Sequence, residues 1–150
     1  MKPVVVVVEA VLDGPPSVVW RCITDWEAQG EWMLEASDFV VTSPNREGVG
    51  VVAEATVKIA GIATRDRIRI DVWEPERVLG IVHLGWVGGR GDLFLTPVEG
   101  GTKFVWREEL VPPWGVLGAI GLRLFRPLLA RTFRRDVAEL GKIVRRGPVR

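Results

Sequence analysis

The sequence predicts an α+β fold: an antiparallel sheet of about seven strands covered by a long C-terminal helix, with two short helices after the first strand. Three observations carry this reading. Apolar residues recur at every second position through much of residues 4–110. A pair of prolines interrupts that pattern directly after its first run. From Leu129 onwards the apolar spacing changes to three and four residues. At 150 residues and 47% apolar composition the chain has the size and the core material of one domain, expected to span 1–150.

The first strand is the β-branched run Val4 to Leu12, with Val4, Val6, Val8, Ala10 and Leu12 facing the core and Glu9 on the other side. Pro15 and Pro16 end it and open a helix over Ser17 to Thr24. A second short helix follows over Glu27 to Met33, with Asp25 placed to cap it and Gly30 weakening it. Period two resumes at Ala36: a short strand over Phe39 to Thr42, a turn at SPNREG, and a strand from Val49 to Ile59. In TRDRIRIDVW the arginines and Asp71 take the wet face, leaving Thr64, Asp66, Ile68, Ile70 and Val72 inside and Trp73 outside. Asp66 is thus a carboxylate on an apolar face.

Glu74-Pro75-Glu76 turns the chain into a strand over Val78 to Trp86, and the glycine pair at 100–101 joins the last two strands. Leu129, Phe133, Val137, Leu140 and Val144 then describe one face of an amphipathic helix that Gly147-Pro148 stops. Pro127 either kinks this helix or starts its main segment after a looser portion from Val116 to Arg126.

Composition narrows the chemistry. Twenty basic and nineteen acidic residues leave a formal charge of +1, which provides no general attraction to nucleic acid or to an anionic membrane. Residues 123–146 are an exception, with seven arginines and one lysine against Asp136 and Glu139, a local +6 that leaves −5 elsewhere. No nucleic-acid motif accompanies those arginines, and VGGRGD lacks the spacing and strand-to-helix setting of a phosphate loop. One cysteine, Cys22, and one histidine, His83, exclude an internal disulfide and a Cys/His zinc site within one chain. No cofactor or metal is called for. The N-terminal apolar run is broken by Glu9 and reads as a strand, so a cytoplasmic protein is expected, as monomer or homodimer.

Three stretches now carry a family resemblance: VVVVVEAVLDGPPSVVWRCITDWEAQGEWM at 4–33, LTPVEGGTKFVWREEL at 95–110 and LARTFRRDVAELGKIV at 129–144. In their order and spacing the chain resembles the START and birch-pollen-allergen superfamily, most closely its polyketide cyclase/dehydrase-like branch. The resemblance implies a helix-grip fold, a strongly bent sheet gripping the terminal helix with a hydrophobic cavity between them. It also matches Asp25 and Trp32 to an aspartate and a tryptophan of the early helices. The scaffold serves lipid and sterol carriage, quinone-related binding, aromatic polyketide cyclisation and ligand sensing, so fold does not select among them.

For such a cavity, parity places Phe104, Trp106 and Glu108 inward on the last strand, and Leu93 and Leu95 inward on the one before. Ile68, Ile70 and Trp86 extend the expected lining, Trp32 shapes one end or staples helix to sheet, and Leu117, Ile120 and Leu124 close the cavity from the helix or serve as plain core. Trp114, in VPPWG, sits at an entrance. Asp66 and Glu108 are the candidate acid/base groups, each alternatively neutralised by a nearby arginine or placed at a hairpin end. His83, counted against inward Val82, Leu84 and Trp86, falls on the opposite face, so a satisfied or exposed histidine is expected. Cys22 reads as core. The absence of tyrosine removes one hydroxyl donor that cyclases of this kind would use.

Three functions follow. The leading one is binding or carriage of a small hydrophobic or amphipathic molecule, such as a lipid, a quinone-like compound or an aromatic metabolite. The second is a polyketide cyclase/dehydratase-type enzyme built on Asp66 and Glu108. The third is docking to an anionic membrane or an acidic protein through the arginines of the terminal helix.

Overall fold

The computed structural model describes residues 2–147. Seven strands form one antiparallel sheet: β1 Val4–Leu12, β2 Ala36–Val41, β3 Val52–Ile59, β4 Ile62–Glu74, β5 Val78–His83, β6 Gly88–Val98 and β7 Gly101–Val111. Their order is β1-β7-β6-β5-β4-β3-β2. Sequence neighbours from β2 to β7 pair as hairpins, whereas β1 joins β7 at the far edge. The chain must therefore travel from one edge of the sheet to the other between Leu12 and Ala36. That path holds α1, Pro16–Ile23, and a 3-10 helix, Trp26–Glu31.

Local chemistry accounts for these elements. Pro15 is extended and Pro16 opens α1 where no backbone donor is required, while Val19, Trp20, Cys22 and Ile23 turn inward. The second short helix is a 3-10 turn ending at Glu31 instead of an α-helix reaching Met33, consistent with Gly30 inside it, and the Asp25 side chain makes no capping bond there. At the β6–β7 hairpin Gly101 has φ 156°, and a Cβ there would stand 1.9 Å from the Leu12 carbonyl oxygen. Thr102 donates its hydroxyl to the Gly14 carbonyl at 2.7 Å, fastening the hairpin to the loop after β1.

The concave face carries the core. Val4, Val6, Val8 and Leu12 of β1 are buried as their alternation requires. The long helix α2, Gly115–Arg146, lies against that face with Leu129, Phe133, Val137, Leu140 and Val144 buried. It is continuous: Pro127 sits within it, and neither a break nor a looser N-terminal portion separates two segments. Pro127 is exposed, on a part of the helix where a lost backbone bond meets solvent.

Three expectations about strands change. β3 begins at Val52, because Gly48 and Gly50 have φ values of 88° and 98° and do not extend the ladder. In β4 the pairing with β5 shifts between Ile70 and Val72, a bulge that inserts Asp71. Beyond it the parity reverses, so Trp73 turns inward and packs edge-on against Trp20 at 5.1 Å. β5 stops at His83, so Leu84 and Trp86 are not strand residues and cannot set its parity. Leu79, Ile81 and His83 face inward, and Val82 faces outward opposite Arg90.

Candidate functional site

Between the concave face and the first half of α2 lies a cavity of about 330 Å³. Its walls come from β2 to β7, from the segment around the 3-10 helix, and from Leu122, Phe125, Leu129 and Phe133 of α2. Of the residues expected to line it, Trp32, Asp66, Ile68, Trp86, Leu93, Trp106 and Glu108 do so. Ile70, Leu95 and Phe104 do not: each is buried in the core cluster, and α1 packs against β6 and β7. Leu117, Ile120 and Leu124 are also outside it, on the solvent side of α2. The buried side of the helix starts at Ala119 and reaches the cavity at Leu122, not at Leu117.

Trp106 is both wall and core. Its ring stacks on Phe133 at 4.4 Å and meets Trp32 edge-on at 5.9 Å. Its indole Nε1 donates to Glu108 Oε2 at 2.7 Å. At the other end Trp86 and Trp114 meet edge-on at 4.9 Å, Trp86 lining the cavity and Trp114 standing outside it.

The polar centre is a cluster on the apolar wall. His83 Nδ1 is 2.9 Å from Asp66 Oδ2, and its Nε2 contacts Glu108 Oε1. Each ring nitrogen faces a carboxylate, and only the imidazolium form has a hydrogen to donate from both. Burial alone would lower the affinity of the ring for its second proton, but the Glu108 charge and the hydrogen bonds to Asp66 and Glu108 outweigh it. They push the His83 pKa from 6.5 up to about 10. Among the described residues neither carboxylate is paired with an arginine.

The backbone explains how three strands reach one point. In the register β6 separates β5 from β7, with Gly89 opposite His83 and Gly91 opposite Glu108. These positions have no side chain on the inner face, so His83 and Glu108 meet across the strand between them. A Cβ at Gly91 would stand 2.5 Å from Glu108 Oε2, and one at Gly85 would stand 2.6 Å from Asp66 Oδ1. The glycine-rich VGGRGD stretch thus makes room for a side-chain cluster. On the convex face of the same strand, Arg90 bridges Asp71 at 2.9 Å and Asp92 at 2.6 Å.

A second acidic group was not foreseen. Glu35 lines the cavity, and Asp136 of α2 is fully buried beside it. Arg135 Nη2 lies 3.3 Å from a carboxylate oxygen of each, and the Leu34 amide donates to Asp136 Oδ1 at 3.3 Å. Burial, then the hydrogen bond and charge of Asp136, push the Glu35 pKa from 4.5 up to about 9, and burial likewise raises that of Asp136. Asp136 Oδ2 is buried with no hydrogen-bond partner, so a pair that retains a proton costs less here than two ionised carboxylates. The signal in the sequence was position: Asp136 stands three residues after Phe133 and four before Leu140, on the buried face of the helix.

The cavity therefore offers an apolar enclosure, a cation held by two carboxylates, and a protonated carboxyl group. Among the described residues no group of His, Cys, Asp and Glu is arranged to hold a metal ion. Cys22 is buried in the core, and burial raises its pKa, away from the thiolate form.

A family model described as polyketide cyclase/dehydrase and lipid transport matches residues 3–145. Among solved structures, TTHA0849 from Thermus thermophilus superimposes with a TM-score of 0.82 at 19% identity, over 95% of this chain and 98% of that one. The Zhui aromatase/cyclase from a Streptomyces species gives 0.81 at 16% identity, over 96% and 94%. Ara h 8.0201 gives 0.68 at 12%, over 96% and 99%. At these identities the likeness shows the fold, the helix-grip arrangement of a bent sheet around a terminal helix. No curated protein matches in sequence.

Proposed function

Since the chain belongs to the polyketide cyclase/dehydrase and lipid transport family, we propose that it binds a small, largely apolar molecule in the cavity and holds that molecule's polar end at the His83 cluster. The observation that carries this reading is an ionised cluster set in a largely apolar wall, whose other polar side chains are Gln29, Glu35, Thr64 and Arg65. Apolar area drives such a molecule out of water, and a few fixed polar groups orient it.

The cluster also restricts the ligand. One imidazolium neutralises one of two carboxylates, so Asp66, His83 and Glu108 together retain a negative charge. That charge favours a ligand presenting a hydrogen-bond donor, such as a phenol or alcohol, and disfavours a carboxylate. Solvent extraction of purified protein followed by mass spectrometry should recover a hydrophobic species of this kind. Calorimetry with 1-naphthol and 1-naphthoate supplies the discriminating comparison. Tighter binding of 1-naphthol is expected; tighter binding of 1-naphthoate would overturn the assignment of the polar end, and no binding of either, with nothing extracted, would overturn the ligand-binding reading.

A second reading, a cyclase or dehydratase, is favoured by one specific feature: a proton-bearing imidazole between two carboxylates on the wall of a largely apolar cavity. In that reading Asp66 and Glu108 move protons to and from an enolising ketone through His83. Incubation with a poly-β-ketone thioester would yield a cyclised product in the wild type and not in Asp66→Asn; an unchanged substrate in both removes the enzyme reading.

A further inference from the structure

The N-terminal half of α2 carries an apolar stripe turned to solvent. Leu117, Ile120, Leu124 and Leu128 recur at intervals of three and four, so they share one face of the helix, and Leu117 and Leu124 are 79% and 77% exposed. From Gly115 to Leu128 the stripe is about 20 Å long at 1.5 Å per residue. The opposite side of the same turns holds Leu122 and Leu129 against the cavity, so both sides of this half-helix are apolar, whereas its C-terminal half is polar outside. Trp114, 73% exposed, extends the patch at its start and rests on Trp86, which is itself half exposed at the cavity wall.

Charge identifies the occupant. Residues 111–135 contain five arginines and no acidic residue. Arg123 and Arg131 flank the stripe and are exposed, and among the described residues no carboxylate pairs with either of them, whereas Arg126 turns to β1 and donates to the Val5 carbonyl at 2.9 Å. A second copy of the chain placed stripe to stripe would bring these arginines together with no acid between them. An anionic surface with an apolar interior satisfies both features: guanidinium groups at the headgroup level, leucines and tryptophans just below it.

We propose that this face docks the protein on an anionic lipid bilayer, with the Trp86–Trp114 end of the cavity turned to the membrane. No helix among the described residues is long and apolar enough to cross a membrane, so the contact is peripheral. The surface itself, and not the identity of the cavity's occupant, carries the proposal.

Flotation with vesicles of phosphatidylcholine alone and of phosphatidylcholine with phosphatidylglycerol tests it, each at low and high salt. The wild type is expected to float with the mixed vesicles at low salt and to be released as salt rises. Leu117→Glu with Leu124→Glu changes only exposed positions and is expected to abolish flotation while leaving the melting temperature and 1-naphthol binding unchanged. Arg123→Gln with Arg131→Gln should weaken binding about fivefold per arginine. Absence of flotation at low salt overturns the proposal. So does flotation that survives the double Glu substitution, or a dimer that this substitution dissociates in a protein that binds no vesicles.

Discussion

His83→Gln separates a charged cluster from a merely packed histidine. In the folded protein His83 keeps its second proton up to about pH 10, whereas an unfolded chain releases it near 6.5. Between those values the folded state binds more protons than the unfolded state, so stability falls as pH rises. The stabilisation is fully present below pH 6.5 and is lost as pH passes 10. The span corresponds to about 5 kcal/mol, an upper figure for a group this well shielded. The glutamine variant has no such titration and leaves Asp66 and Glu108 facing one another without a cation, at a cost of about 3–5 kcal/mol near neutral pH. Urea unfolding of both proteins from pH 6 to 10 gives the difference directly, and groups that titrate in both proteins cancel. The gap should be widest near pH 6 and close toward pH 10. A gap that stays constant across this range, or an NMR titration placing His83 near 6.5, would refute the imidazolium assignment.

Two further outcomes follow from the same walls. Glu35 titrates near pH 9 in the folded state against 4.5 for an ordinary glutamate, so its contribution is present below 4.5 and is lost as pH rises through 9. Glu35→Gln preserves a donor to Asp136 without a proton to lose; its urea midpoint should exceed that of the wild type at pH 8 and match it at pH 5, and the reverse order would sink the shared-proton account. Gly91→Ala places a methyl group 2.5 Å from Glu108 Oε2 and should displace that carboxylate. A loss of about 1–3 kcal/mol is expected, with the His83 pKa moving down toward 6.5. An unchanged His83 titration would show that Glu108 does not need the space.

The sequence disclosed the scaffold more fully than the site, for identifiable reasons. Strict alternation in β1 and β7 placed Val6, Val8, Trp106 and Glu108 correctly, because both strands are regular and half-buried. Parity failed where regularity ends. The bulge at Asp71 reverses the faces of β4, so Trp73 was read outward, and the end of β5 at His83 leaves Leu84 and Trp86 free of the alternation used to place the histidine. Periodicity in α2 identified its buried ladder from Leu129 onwards. It could not tell which side of the preceding turns meets the sheet, because apolar residues lie on both. The expectation that Leu117, Ile120 and Leu124 close the cavity or serve as core therefore fails, since all three are exposed while Leu122 and Phe125 line the cavity. Asp66 and Glu108 stood out as charges on apolar faces, but their common partner depends on contacts between strands that no local pattern encodes.

The side-chain gap at Gly89 and Gly91 of β6 has a kinetic side. Asp66 belongs to β4, His83 to β5 and Glu108 to β7, so no isolated hairpin contains the full cluster. The bond between His83 and Glu108 spans 25 residues and closes only after β6 has paired with both neighbours in register. The gap left by Gly89 and Gly91 thus acts as a gauge of assembly: the cluster exists only when four successive strands are in place, and a slip of β6 by one residue would put Arg90 where the gap should be.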